Sequence, residues 1–265
     1  MSPQDSEIAL PPSLKIEWRE GIAILRLARP EKRNALDDAT VLGVGAFFSN
    51  LPAEVKVVVL DAVGDNFSAG LDLSELTERD SVEGLAHSMM WHRVFEQIEF
   101  GRVPVVAVLK GAVVGGGLEL AAAAHIRVAE WSAYYALPEG QRGIFVGGGA
   151  AVRLPRLIGT ARMRDMMLTG RVYDAEEGHS IGISHYLIAN GEGFAKGLEL
   201  SRKIAANAPI TNFAVIQALP RIAEANPREG FLMEALMAAV SQDSDEAKER
   251  LRAFLDKRAK KVTEF

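Results

Sequence analysis

Two glutamates, one of them set just behind three consecutive glycines, are the residues of this 265-residue chain best suited to chemistry. Gly115, Gly116 and Gly117 follow the apolar run VPVVAVL (103–109) and open the alanine-rich segment that carries Glu119. Glu139 stands 20 residues further on, just past Pro138. Glycine backbone entering a helix lets a ligand come close to main-chain N–H groups. At a helix start those groups are unpaired and sit at the positive end of the dipole. Such a place suits a developing oxyanion, and two carboxylates converging beside it suit an acid and a base. The alternative is a tight strand-to-helix turn in a buried core, with two solvated glutamates.

The elements around this stretch read as alternating strands and helices. LKIEWRE (14–20) and IAILRL (22–27) alternate apolar and polar residues about Gly21 and read as a hairpin. Pro30 ends the second strand, Asn34 or Asp37 is placed to cap, and a helix is expected over about 38–50. VKVVVL (55–60) is a buried strand by its β-branched run. Residues 81–100 read as a helix with Leu85, Met89, His92, Phe95 and Gln97–Ile98 near its inward face. Strands follow at 103–109, 126–129 and 133–136. From Gly147 onward the pattern is almost wholly helical, with one short strand at 184–188. Strands alternating with helices argue for an α/β core with several strands running one way. The last stretch, 230–258, is amphipathic and suits packing on the core or on another subunit.

Composition removes several classes of function. A net charge of −5 argues against a general polyanion binder. With no cysteine there is no disulfide, thiolate metal site or cysteine nucleophile, which fits a reducing cytosol. Five histidines without HExxH spacing give no metal expectation. The N-terminus, MSPQDSEIALPPS, lacks a basic region and an apolar core, and reads as a flexible tail rather than a signal peptide. No apolar run reaches the roughly 20 residues of a membrane span. The glycine clusters lack GxxxxGK[ST], and no GxGxxG follows the first strand, so a nucleotide loop is not expected. The basic run KRAKK (257–261) reads as a solvated helix end.

Four motifs in order do rise above background: RPEKRNAL (29–36), FSAGLDL (67–73), GGGLEL (115–120) and ALPEG (136–140). Together they resemble the crotonase (enoyl-CoA hydratase/isomerase) family, over about 14–258. The resemblance implies a ββα spiral core over 14–200 and a helical C-terminal trimerisation region over 201–265, after a tail at 1–13. It implies backbone N–H donors at Leu71 and Gly116 forming an oxyanion hole for the enolate of an acyl-CoA. Glu119 and Glu139 correspond to the two glutamates of family hydratases, the first helping to take a proton from water, the second delivering one to Cα. CoA is expected along Lys32, Arg33, Ala35, Leu36, Ala69, Asp72 and Leu73. Lys32 and Arg33 are candidates for its phosphates, a solvated basic turn being the alternative. Asp72 fits a turn-closing role better than a catalytic one.

The implied reaction is addition of water across the 2,3-double bond of a trans-2-enoyl-CoA, with no cofactor beyond the CoA of the substrate, no membrane or nucleic-acid partner, and self-association into trimers or pairs of trimers in the cytoplasm. Rival readings are lyase or thioester-hydrolase chemistry on a functionalised enoyl-CoA (3-methylthioacryloyl or aryl-substituted), enoyl-CoA isomerisation, and a non-catalytic RNA-binding member. Two departures touch the acyl pocket: His125 stands where the family has Asp, and VGGGAAVRL (146–154) begins with Val146 in place of Pro. Tyr134, Tyr135, Phe145 and Trp91 are candidates to line that pocket, or else plain core.

Overall fold

A computed structural model describes residues 8–75 and 79–256. Of the expected tail at 1–13, residues 1–7 lie outside the described residues, as does the basic run at 257–261. The chain divides into two compact units, Met1–Lys203 and Ile204–Phe265.

In the first unit the elements run β1 (Leu14–Arg19), β2 (Ile22–Leu27), α1 (Asp38–Ser49), β3 (Val57–Ala62), α2 (Ser81–Glu99), β4 (Val105–Leu109), β5 (Ala112–Val114), α3 (Gly116–Ala123), β6 (Ile126–Glu130) and β7 (Tyr134–Ala136). They continue through α4 (Ala150–Ile158), α5 (Thr160–Thr169), β8 (Tyr173–Asp174), α6 (Ala175–Ser180), β9 (Tyr186–Ile188) and α7 (Gly193–Ala205). A six-stranded sheet has the order β1-β2-β3-β4-β6-β9, and a three-stranded sheet the order β5-β7-β8. In the large sheet only β1 is antiparallel to its neighbour. After β4 and again after β6 the chain turns out of the large sheet and contributes the next strand, β5 or β7, to the small one. A helix follows each such pair, α3 after β5 and α4 after β7, giving a repeating strand–strand–helix turn.

The parallel strands are buried along their whole length in β3 and β4, as continuous Val-rich runs should be. Asp37 caps α1 by accepting the Thr40 N–H at 2.7 Å, and Asp80 closes a capping box with Glu83 at the start of α2. Ile8 and Leu10, ahead of β1, pack against the core.

The inward face of α2 differs from the expected one. Leu85 is 65% exposed and Met89 44% exposed, while Trp91, Val94, Phe95 and Ile98 are buried. Phe95 and Ile98 belong to both stripes, and the core selects the one led by Trp91. In the third turn, Trp91 packs edge-on against Phe95, with ring centroids 5.5 Å apart.

The second unit carries α8 (Pro209–Phe213), a π-helical turn (Ala214–Ala218), α9 (Leu219–Glu224), α10 (Pro227–Asp243) and α11 (Asp245–Leu255). Asn226 caps α10 and Ser244 caps α11. Phe231, Leu232, Leu236 and Val240 of α10 and Phe254 of α11 are each more than half exposed.

Candidate active site

The loop Phe67–Leu73 and the start of α3 lie side by side. The chain from Leu36 pairs in parallel with Leu71, and Ser68 pairs with Val113. Around Leu71 the flanking groups are engaged: Gly70 O accepts the Leu36 N–H at 2.8 Å, and the Asp72 N–H donates to Leu36 O at 2.8 Å. That pattern leaves the Leu71 N–H pointing away from the pairing strand. Gly116 is the first residue of α3, so its N–H has no partner within the helix. The two amides are neighbours: a Cβ built on Gly116 would lie 3.5 Å from Leu71 N, and one built on Gly70 3.1 Å from Gly116 N. No side chain fits between them. The Gly116 Cβ would also stand 2.8 Å from the Trp91 ring.

Both glutamates face this point. Leu71, Gly116, Glu119 and Glu139 line one cavity of about 270 Å3, with Ala69, Leu73 and Trp91 in its wall. Glu119 is only 4% exposed. Its Oε1 accepts the N–H groups of Gly148 at 2.8 Å and Ala150 at 3.0 Å. A Cβ on Gly148 would sit 2.7 Å from Glu119 Oε2 and 3.0 Å from Trp91. The second glycine triplet, Gly147–Gly149, thus wraps a carboxylate of this same chain, where a phosphate loop would wrap a nucleotide. Glu139 reaches the cavity from the other side. Its Oε1 would be 2.6 Å from a Cβ on Gly115, whose φ of +53° already favours glycine. Glu139 Oε2 is buried with no hydrogen-bond partner.

The electrostatics follow from that burial. Desolvation pushes both carboxyls up. For Glu119 the Ala150 and Gly148 N–H groups and the Arg153 charge oppose the rise. Glu139 is pushed up to about 7 by burial first and also by the charge on Glu119, against a hydrogen bond from its own backbone N–H and a smaller pull from Arg142. Two such carboxyls, each raised by burial and facing each other's charge, take up and release protons as a coupled pair. It can therefore offer one base and one acid to a ligand held on the two amides.

Of the residues expected to bind substrate, Ala69 and Leu73 line the cavity. Leu36 is buried behind Leu71, and Ala35 O accepts from Arg29 at 3.3 Å. Asp72 closes the loop: it accepts from the Ser74 hydroxyl and N–H, from Arg29 at 2.9 Å and from Lys32 at 3.0 Å. The Ser74 hydroxyl, then Lys32 and Arg29, hold its carboxyl well below the usual carboxylate range. Lys32 is thus tied to Asp72 and Ser74 while its chain stays half exposed; Arg33 is exposed. Trp91 and Phe145 line the cavity, whereas Tyr135 is core and Tyr134 lies on β7 outside the wall.

The sequence reading missed Arg79, Gly84, His87, Ser88 and Arg142, which also line the cavity. Gly84, His87, Ser88 and Trp91 recur at helical spacing on one face of α2, a signal that was present but overlooked because the apolar stripe was drawn one face away. His87 Nε2 is 2.7 Å from Asp38, which also lies 3.9 Å from Arg79. Among the described residues no three histidine, cysteine or carboxylate side chains are gathered to hold a metal ion. No helix there is long and apolar enough to cross a membrane.

With this geometry in hand the kinship is direct. The family model for enoyl-CoA hydratase/isomerase matches residues 17–264. The short-chain-enoyl-CoA hydratase of Clostridium acetobutylicum is 29% identical over 244 residues, 91% of this chain and 94% of its own. Enoyl-CoA hydratase EchA19 of Mycobacterium tuberculosis is 31% identical over 255 residues, 94% and 95% of the two chains. The solved structure of an enoyl-CoA hydratase candidate from Rhodopseudomonas palustris CGA009 is 61% identical, with a TM-score of 0.92 over 96% of this chain and 98% of that one. The chain belongs to the enoyl-CoA hydratase/isomerase family of enzymes, and its strand–strand–helix turns are those of the crotonase fold.

Proposed function

We propose that the chain adds water across the 2,3-double bond of a trans-2-enoyl-CoA. The observation that carries this reading is the meeting of Glu119, Glu139 and the amides of Leu71 and Gly116 in one cavity. The thioester oxygen sits between the two amides, which gain strength as the enolate develops; losing one such donor typically costs about a hundred- to a thousandfold in rate. Water lies between the carboxylates. Glu119 takes its proton as oxygen attacks Cβ, and Glu139 delivers a proton to Cα. Both donors of the oxyanion site are main-chain groups, so they cost no side-chain entropy to hold.

The wall of Leu71, Leu73, Trp91, Ile144 and Phe145 suits an acyl tail. At about 270 Å3 the cavity is at the small end of ligand pockets, which span roughly 300–1,000 Å3, and this favours a short acyl chain. CoA phosphates meet the exposed Arg33 and the half-exposed Lys32 end. No cofactor beyond substrate CoA is required. The exposed apolar residues of α10 and α11 support self-association as a trimer or pair of trimers, and the cysteine-free composition supports a cytoplasmic setting.

The test is turnover of crotonyl-CoA and other enoyl-CoAs by purified protein, followed as loss of the conjugated thioester absorbance. Hydration lowered by about 10²–10⁴ in both Glu119→Gln and Glu139→Gln is expected. Wild-type turnover in either variant overturns the assignment of roles, and release of free CoA would instead reveal thioester cleavage.

A further inference from the structure

One buried charge close to the site has no part in the reaction as described. Arg153, on α4, is 7% exposed. Its Nε donates to Glu99 Oε2 at 2.6 Å, and its Nη1 donates to Gly148 O at 3.1 Å. The next link is Gly148 itself, whose N–H holds Glu119 Oε1 at 2.8 Å while Ala150 supplies the second donor. Arg153 therefore grips the carbonyl of the residue whose amide grips Glu119. The turn is shaped around the guanidinium: Gly149 has φ +103°, and a Cβ there would lie 2.2 Å from Arg153 Nη1. At the far end Glu99 is the last residue of α2, and its carbonyl accepts from His125 Nε2 at 3.1 Å while the Val105 N–H donates to His125 Nδ1.

We infer that Arg153 is a positioning residue for the hydration reaction: with Glu99 as its anchor it fixes the 148–150 turn so that both N–H groups bind one oxygen of Glu119 and turn the other toward the cavity. This rests on the hydratase reading for its kinetic consequence, but the placement stands on the hydrogen bonds alone. A single guanidinium does two things here. It orients the turn through its planar fork, which lysine cannot copy. It also places a positive charge one peptide away from a carboxyl whose ionised form burial disfavours, and that charge, with the two N–H groups, opposes the rise. The other charged groups about the cavity are Glu139 across it, Glu99 behind Arg153 and Arg142 beside Glu139, with Arg79 and His87 in the cavity wall.

Arg153→Met alone strands Glu99, so the paired variant Arg153→Met/Glu99→Gln, which removes both charges, is measured beside it. The expected result is an acid limb of the kcat profile displaced upward by about one pH unit, the size a neighbouring charge commonly gives. Below that limb the loss of kcat is about tenfold greater than above it, with KM nearly constant. Arg153→Lys should leave the limb in place while lowering kcat, because charge is kept and the fork is lost. The midpoint of Glu119 is also read without turnover, by carbon-13 NMR of carboxyl-labelled glutamate in a Glu139→Gln background, with and without Arg153→Met/Glu99→Gln. An upward shift of about one unit supports the inference. A folded variant whose Glu119 midpoint does not move overturns it, as does an equal loss of kcat at every pH in the Lys and Met variants. If the unaltered protein hydrates no enoyl-CoA, the hydratase reading fails and the NMR titration alone decides the role of Arg153.

Discussion

Glu139 should give hydration a falling limb centred near pH 7. Its carboxyl is raised to about 7 by burial and by the charge on Glu119. In the proposed reaction it must carry the proton that goes to Cα, so activity follows its protonated fraction. At pH 8 about one Glu139 in eleven keeps the proton, and at pH 9 about one in a hundred, so kcat falls about tenfold per unit. The midpoint belongs to the coupled pair, and it moves when either member is changed. Replacing Glu139 with Gln should lower kcat by about 10²–10⁴ and remove the falling limb, while KM changes little. The same burial has a cost in stability. The folded pKa lies above the value of 4.5 from which it is raised. Relative to a neutral glutamine, Glu139 therefore loses stability as pH climbs from 4.5 to about 7, and the loss is complete above that. Because the side chain is partly exposed, roughly 1–3 kcal/mol should be recovered by Glu139→Gln at pH 8 and almost none at pH 4.5. Initial rates at saturating crotonyl-CoA between about pH 5.5 and 9.5, with urea melts at the two ends, make the measurement. A flat wild-type profile, or a falling limb that survives in Glu139→Gln, refutes the reasoning.

Other consequences are simpler to state. Gly148→Ala drives a methyl to 2.7 Å from Glu119 and 3.0 Å from Trp91, so kcat should fall at least about tenfold and stability by about 1–3 kcal/mol, the usual range for overpacking, read by turnover and thermal melting; a neutral outcome would show that the turn yields freely. Burial holds His125 neutral, with a pKa lowered from 6.5 to about 4. The unfolded chain takes up its proton first as pH drops, so stability present above pH 6.5 should be lost on the way down to about 4, by about 2–3 kcal/mol; His125→Asn should show a smaller difference between urea midpoints at pH 7 and 4.5. Charging the exposed stripe of α10 with Phe231→Asp/Leu236→Asp should convert an oligomer to monomer in sedimentation velocity without loss of helix content, and an unchanged mass would remove α10 from the self-association surface.

What could be read from the sequence, and what could not, divides along a physical line. The oxyanion geometry is written in single residues, because only glycine tolerates φ +53° combined with ψ −123° at Gly115, or the approach of Trp91 at Gly116. The continuous Val runs of β3 and β4 likewise admit few other places than a buried parallel sheet. The wall given by α2 was not legible in the same way. Residues 81–99 carry two overlapping stripes, one through Leu85 and Met89 and one through Trp91, Val94 and Phe95, and helix periodicity serves either. Only the core, by burying Trp91 against Gly116 and Gly148, selects between them. Arg153 was invisible for a related reason: a charged residue near a glycine run reads as surface until its two acceptors, 54 and 5 residues away, are known.

The two glycine triplets use one device for two oxygens, and the contrast between them bears on which glutamate acts as base. In Gly115–Gly117 the Gly115 N–H goes to Ala136 O at 2.9 Å, and the Gly116 N–H at the start of α3 is the donor at the cavity, where a developing oxyanion would use it. The second triplet's Gly148, with Ala150 just after it, gives its N–H to Glu119, whose Oε1 takes both groups with the Arg153 charge close behind. Such donors stabilise the ionised carboxyl far more than the neutral one. Glu139 has no partner for its Oε2; burial acts on it most, a hydrogen bond from its own backbone opposes, and the negative charge of Glu119 adds to the rise. Two carboxyls in one apolar pocket are thus both pushed up by burial but differ in their main-chain donors and in the charge beside them, an asymmetry of the kind that lets one keep a proton and the other give it up. On the proposed hydration the proton is therefore assigned to Glu139 and the base to Glu119. Exchanging these roles would mean moving the 148–150 turn, which Arg153 and Glu99 hold, from one glutamate to the other.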